Sequence, residues 1–363
     1  MLDELVGGTR AAAWPSIRHD LGLSYGEIGL ALAIPGFVGS VLDPLVGVAG
    51  DTSRRRRVMA VGGLVFAVSA ALTAAAGGFW LLLAALVLGN PATGAFVSLA
   101  QATLMDADPS QRARNMARWT LAGSFGYVGG PILLAVAVYA GVGWRGAIAA
   151  LALAALPLAL ASLRFPGPRR DTTPPLRLAA REALAAVRRR EVLRLLLLLE
   201  ASDLLLDGFH GFIALYLHDA VGQTTSFAAL GVGVWTAAGL VGDWLLLPLL
   251  RRTTGARVIR VTAFLSLWAY PSFLLVPGLA PKLALLAALG LLNSGWYAIP
   301  KAWLYDALPD RSGAAVAVGG VGGLAGAAVP LLLGFLAAGV GIAAMMWALL
   351  LAPVALLALT PRD

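Results

Sequence analysis

Glu200, Asp203, Asp207 and His210 interrupt a stretch dominated by leucine, with spacings of three, four and three residues. On a helix that turns 100° per residue, the four fall within an arc of about 80° and form one stripe. Carboxylates this close in a poorly solvated setting cannot all be ionised, because like charges repel and each anion lacks water. The chemistry that suits such a stripe is the loading and release of protons. Asp203 and Asp207 lie deepest in the apolar run. Glu200 has the alternative of reaching headgroup level, and His210 that of bonding a backbone carbonyl.

A second set opens the chain. Asp3, Gly7 and Arg10 share a helix face, with Glu4 about 100° away. Arg10 needs a counter-ion or an anionic ligand; a pair with Asp3, Glu4 or an acid on a neighbouring helix stays open. Asp43 and Asp243 are further acids in apolar runs, in reach of either a cavity or loop arginines. Asn293, Trp296 and Tyr297 are polar or aromatic candidates for substrate contact, with packing an equal alternative. Acids outnumber bases inside the runs, so protons or cations are favoured over anions as cargo.

The elements that must position these groups follow from composition. Of 363 residues, 59% are hydrophobic and only 13% charged, about half the charge of a soluble domain. Apolar runs at 1–17, 26–48, 58–76, 79–103, 116–140, 144–165, 192–217, 226–249, 258–277, 282–304, 313–338 and 342–360 read as twelve membrane-spanning helices. The expected fold is an all-α membrane protein. Twenty-two of the 27 Lys and Arg fall on one side of these runs; only Arg18, Arg145 and Lys282 fall on the other, and Arg10 and Lys301 lie within runs. That asymmetry predicts both termini in the cytoplasm. Trp80 and Trp144 start runs on the sparse side, where interfacial aromatics are expected.

Residues 166–191 are Pro-rich, then basic and amphipathic, and read as a cytoplasmic linker whose helix lies on an anionic leaflet. They separate two six-helix bundles, 1–165 and 192–363. An offset of 200 pairs Asp3 with Asp203, Gly8 with Gly208, Asp43 with Asp243, Asp106 with Asp306 and Gly126 with Gly326. A six-helix repeat is a transporter architecture, with the substrate site expected at the midplane between the halves. The same offset puts the partner of residue 192 about eight residues before Met1, so a stunted or upstream-extended first helix is expected.

Several chemistries find no support. The chain has no Cys, and His210 and His218 are eight apart with no H-E-x-x-H motif, so no metal site is expected. Gly320 to Ala325 matches a dinucleotide fingerprint by letter but follows no strand, and reads as helix packing. No nucleophile–base pair is present, so neither an enzyme nor a cofactor is expected. The net charge of +8 reflects cytoplasmic loops, not a nucleic-acid surface.

The chain resembles the major facilitator superfamily of transporters along essentially its whole length. The loop after the second run carries Gly47, Asp51, Arg55 and Arg56 where the family has G-x-x-x-D-R/K-x-G-R-R/K; Thr52 and Arg54 depart from it. The resemblance implies a cytoplasmic latch of Asp51 and Arg55 with Asp106. Two antiporter patterns match in part. Asn90 stands where a helix 4 arginine is found, and Gly126, Gly130 and Pro131 match the helix 5 pattern, whose last glycine is replaced by Leu134. The resemblance implies a secondary transporter of a small organic solute, proton-coupled and working by alternating access. Export is slightly favoured, with import the close alternative and a non-transporting membrane sensor a remoter one. The expected partners are substrate, protons and lipid, in a monomer of the cell membrane (the inner membrane in a bacterium), driven by a proton gradient.

Asp51→Asn or Arg55→Ala is expected to favour the inward-open state and slow turnover without abolishing expression, since a latch made in one state biases its population. Thiol labelling at cysteines introduced on the cytoplasmic side of the cavity should rise in both variants. Unchanged labelling in both would count against the latch.

Overall fold

The computed structural model describes residues 1–50, 54–107, 112–164, 188–307 and 312–361. Asp51, residues 108–111 and 308–311 and most of the 166–191 linker lie outside them, as do the side chains of Asp43 and Asp106 and the surroundings of Gly47. The latch and the linker helix therefore stay expectations.

The described residues are helical almost throughout. They divide into two compact units, Met1–Leu176 and Arg177–Asp363. The first holds α1 Leu2–Leu21, α2 Tyr25–Gly50, α3 Arg55–Ala75, α4 Phe79–Thr93, α5 Leu99–Ala107, α6 Arg112–Tyr139 and α7 Gly143–Ala161. The second holds α8 Arg190–Asp203, α9 Phe209–Leu215, α10 Thr225–Leu250, α11 Gly255–Leu275, α12 Leu279–Leu292, α13 Ala298–Asp306, α14 Ser312–Val340, α15 Ile342–Ala348 and α16 Leu351–Leu359. Eight helical stretches among the described residues are long and apolar enough to cross a membrane; Leu279–Leu292 and Gly326–Val340 are shorter apolar helices. Large apolar side chains such as Trp80, Tyr139, Trp244 and Trp268 stand exposed, while alanines fill much of the interior. That distribution suits a protein surrounded by lipid.

Helix ends differ from the apolar runs for a local reason. α1 continues through Arg18, His19 and Asp20 and stops where Gly22 adopts φ 63°, a left-handed C-terminal turn. Four runs read as continuous are interrupted, one of them by a turn at 349–350 between α15 and α16. A π turn at Gly94–Ser98 separates α4 from α5, another at Leu204–Gly208 separates α8 from α9, and residues 293–297 form turns between α12 and α13. The interruptions at 94–98 and 293–297 fall at the same place in the 200-residue register.

Glycine decides how α1 packs on α6. A Cβ on Gly8 would lie 2.6 Å from the Tyr127 carbonyl oxygen, and one on Gly130 would lie 2.5 Å from the carbonyl carbon of Gly8. One on Gly126 would meet the Met1 carbonyl and lie 2.8 Å from the Glu4 Cβ. The Thr9 hydroxyl donates to the Gly130 carbonyl at 3.3 Å across this seam. Small residues let two backbones approach, and close packing then replaces the hydrophobic drive that lipid does not provide.

The three cations assigned to the sparse side are all tied to aromatic rings. Arg18 lies 4.4 Å from the Tyr25 ring centre and Arg145 4.4 Å from that of Trp144. Lys282 stands 5.1 Å from the Phe273 ring centre and 5.4 Å from that of Tyr216. Arg145 donates to the carbonyls of Ala74 and Ala76 at 2.8 and 2.7 Å, closing the end of α3. Lys282 donates to Phe273 and Leu274 at 2.6 and 3.2 Å, closing the end of α11. Cations at helix C-termini satisfy carbonyls that have no intrahelical partner. Trp144 departs from expectation: it is 3% exposed and donates to Asp20 at 2.8 Å, so it is a packing residue and not an interfacial one.

Gly130→Val is expected to lower the apparent melting temperature and the yield of monodisperse protein, since overpacking a tight seam costs about 1–3 kcal/mol or more. Gly339→Ala, whose Cβ would meet nothing within 4 Å, should be neutral. Fluorescence-detected size exclusion after heating checks both, and equal behaviour of the two variants would refute the seam.

Candidate functional site

Each unit presents a polar cluster within its apolar helices. In the first, a cleft of about 360 Å³ is lined by Asp3, Glu4, Gly7 and Arg10 of α1, Asn90 and Thr93 of α4, and Tyr127 of α6, with Val6, Leu32, Phe66, Leu86 and Ile148 among its apolar walls. The shared face of Asp3, Gly7 and Arg10 read from the sequence thus opens on one cleft. Asp3 accepts from the N-terminal nitrogen at 3.2 Å. Glu4 runs along α6 against Gly123 and Gly126. Arg10 has Tyr127 as its electrostatic neighbour.

Asn90 reaches the cleft because Gly39 on α2 leaves room for it: a Cβ there would collide with the Asn90 Oδ1. Thr93, one turn on, returns its hydroxyl to the Gly89 carbonyl at 3.0 Å just before the π turn. Sequence reasoning missed Tyr127. The available signal was its place beside Gly126 and Gly130, which bring its helix against α1.

In the second unit, Glu200 and Asp203 end α8 and Asp207 lies in the π turn Leu204–Gly208. The π turn changes the angular spacing from the 100° per residue read from the sequence. The three carboxylates nevertheless act on one another electrostatically, Asp203 with both Asp207 and Glu200. Among the described residues none of the three has an ion-pair partner within 4 Å. Asp207 is exposed in its unit and the other two are half-buried. Gly326 makes room for Glu200, whose Oε2 would be 2.8 Å from a Cβ there. The same repeat position in the first unit, Gly126, faces Glu4.

Lys301 belongs to this cluster. Read from the sequence only as lying within an apolar run, it acts electrostatically on Asp203 and stands 5.7 Å from the Tyr297 ring centre. Tyr297 is half-exposed and within electrostatic reach of Asp203 and Asp207. His210 stacks on Trp235 of α10 at 5.5 Å and 25°.

The turn at 293–297 packs against α8 beside this cluster. Gly295 has φ 80°, a conformation glycine alone adopts freely. Asp243 lies within electrostatic reach of its backbone N–H. Ser202 of α8 donates to the Trp296 carbonyl at 2.8 Å, and Ser294 to the Gly239 carbonyl at 3.2 Å. Trp296 is wholly buried and donates to Thr262 at 2.8 Å, so its indole is a packing element rather than a cavity wall. Asn293 is 3% exposed, and neither atom of its amide has a hydrogen-bond partner among the described residues. No group of three or more His, Asp or Glu suited to a metal ion occurs among the described residues.

Both units carry acids within apolar helices that are broken at matching positions. The sequence profile of the Major Facilitator Superfamily matches residues 5–329. The chain belongs to the major facilitator superfamily. Solved structures agree in fold. The nucleoside transporter NupG superposes with a TM-score of 0.78 at 12% identity, over 100% of this chain and 97% of that one. A bacterial homologue of the human lysosomal transporter Spinster, in an inward-facing unoccupied conformation, gives 0.79 at 16% identity over 99% and 93%. The human organic anion transporter MFSD10 (TETRAN) gives 0.65 at 19% identity over 99% and 96%. No curated protein sequence matches the chain. The protein is thus a multi-pass membrane transporter of the superfamily.

Asn293→Leu is expected to raise the apparent melting temperature, because removing an unpartnered buried amide recovers about 1–3 kcal/mol. A fall in stability on the same thermal scan would show that the amide is engaged in the folded protein.

Proposed function

We propose that the protein is a proton-coupled secondary transporter of a small organic solute. The observation that carries this reading is the Glu200–Asp203–Asp207 cluster, three mutually repelling carboxylates with no ion-pair partner within 4 Å among the described residues. Ionisable groups in a membrane protein are costly and seldom kept without use. A group that gains a proton from one side of the membrane and loses it to the other, as the site alternates between them, couples the proton gradient to solute movement. Lys301 and Tyr297 supply the charge and the hydroxyl that accompany the exchange. The partial helix 5 pattern, Gly126, Gly130 and Pro131, favours export as the direction. The solutes of the structural relatives, a nucleoside and an organic anion by name, support a small organic molecule as cargo. The energy source is the proton gradient and the site of action the cell membrane.

In proteoliposomes screened with a solute panel, a pH gradient is expected to drive accumulation by the wild type. Asp203→Asn and Asp207→Asn should lose accumulation while retaining solute exchange. Two folded variants that still accumulate solute with the wild-type pH dependence would overturn the assignment. If the acids instead only balance Arg10, the Asn variants should fold poorly and be rescued by Arg10→Gln.

A further inference from the structure

We propose that the basic ends of α8, α11 and α16 form a docking site for an anionic phospholipid, its phosphate on the arginines around the end of α16 and its acyl chains along the exposed faces of α8 and α11.

Two arginines from different helices converge on one helix end. Arg194 of α8 donates its Nε to the Leu359 carbonyl at 2.6 Å, and Arg260 of α11 donates to the Pro361 carbonyl. Leu359 is the last residue of α16 and Pro361 follows it closely, so the two guanidiniums meet over that end. Each closes a carbonyl without an intrahelical partner. Arg194 uses only its Nε for this; its terminal nitrogens have no hydrogen-bond or ion-pair partner among the described residues. Arg190 and Arg257 stand exposed about one turn nearer the basic end, each on the same helix face as the arginine that follows it. α11 and α16 contain no Asp or Glu, and the acid in the first turn of α8, Glu191, is held by Arg189 at 3.5 Å. No other acid occurs among the described residues of these three basic ends.

The surface beyond the arginines selects a lipid over a soluble anion. Leu193 and Leu197 share a helix face with Arg190 and Arg194, and Val261, Phe264 and Trp268 share one with Arg257 and Arg260. All of these apolar side chains are exposed. From Arg257 to Trp268 the face runs ~16 Å along α11, and one leaflet offers about 15 Å of hydrocarbon. Guanidinium matches phosphate oxygens two at a time, and basic sites between helices at a membrane surface hold anionic headgroups. A free phosphate would use the arginines and leave the apolar faces bare. The chain's own linker is ill suited to the patch, because Arg169, Arg170, Arg177 and Arg181 outweigh Asp171 and Glu182 in it.

The test uses the purified full-length protein and native mass spectrometry. The probes are phosphatidylglycerol and phosphatidylcholine with identical acyl chains, and glycerol phosphate is the soluble competitor. The wild type is expected to bind phosphatidylglycerol more tightly than phosphatidylcholine by at least ~30-fold, the factor that two arginines at an anionic surface supply. Arg190→Gln/Arg257→Gln should lose that factor. Arg57→Gln/Arg164→Gln, which removes the same charge from exposed positions in the first unit, should keep it. Glycerol phosphate at equal concentration should displace no lipid. Equal binding of the two lipids, equal loss in both double variants, undiminished binding by folded Arg190→Gln/Arg257→Gln, or displacement by glycerol phosphate would overturn the proposal. If Arg190→Gln/Arg257→Gln does not fold, the two single variants decide: a loss of ~5-fold in each supports the site, and no loss in either overturns it.

Discussion

The structure depends on keeping charge in helices that face hydrocarbon. A carboxylate or guanidinium there has few sources of compensation: a partner charge, a hydrogen bond, a proton, or a solvated cleft. The molecule uses several of these. Lys282 and Arg145 close helix ends. Arg10 opens on a cleft. Glu200, Asp203 and Asp207 act on one another without an ion-pair partner within 4 Å among the described residues.

The interruptions in the helices serve the same constraint. A π turn inserts a residue and redirects side chains; such turns recur at functional sites. The turn at Leu204–Gly208 carries Asp207 and changes its angular spacing from Asp203. The turn at 293–297 leaves the Trp296 carbonyl for Ser202. Glycines at 8, 126 and 130 then bring α1 against α6 closely enough that Arg10 and Tyr127 share a wall.

Much of this was legible in the sequence because lipid imposes length and polarity on a helix. The apolar runs located the helices, and the spacing of Glu200, Asp203 and Asp207 located a cluster that survives the π turn. The 200-residue register located glycines that occupy related seams, Gly126 against Glu4 and Gly326 against Glu200. What escaped depends on contacts between helices. Nothing in the local sequence distinguishes Trp144, buried over Asp20, from exposed Trp80. Trp296 and Tyr297 are adjacent, yet the turn at Gly295 sends the first into the core and the second to the surface. Lys301 is four residues from Tyr297 and one turn along α13, but its relation to Asp203 needs α8 beside it.

The most direct measurement of the central claim is proton movement itself. Vesicles containing the wild-type protein and an entrapped pH-sensitive dye are given solute with no imposed pH gradient, and solute and proton fluxes are recorded together. The account predicts a solute-dependent change of internal pH whose initial rate scales with solute flux. Solute flux that proceeds with no change of internal pH, in vesicles shown to be proton-tight, would contradict it.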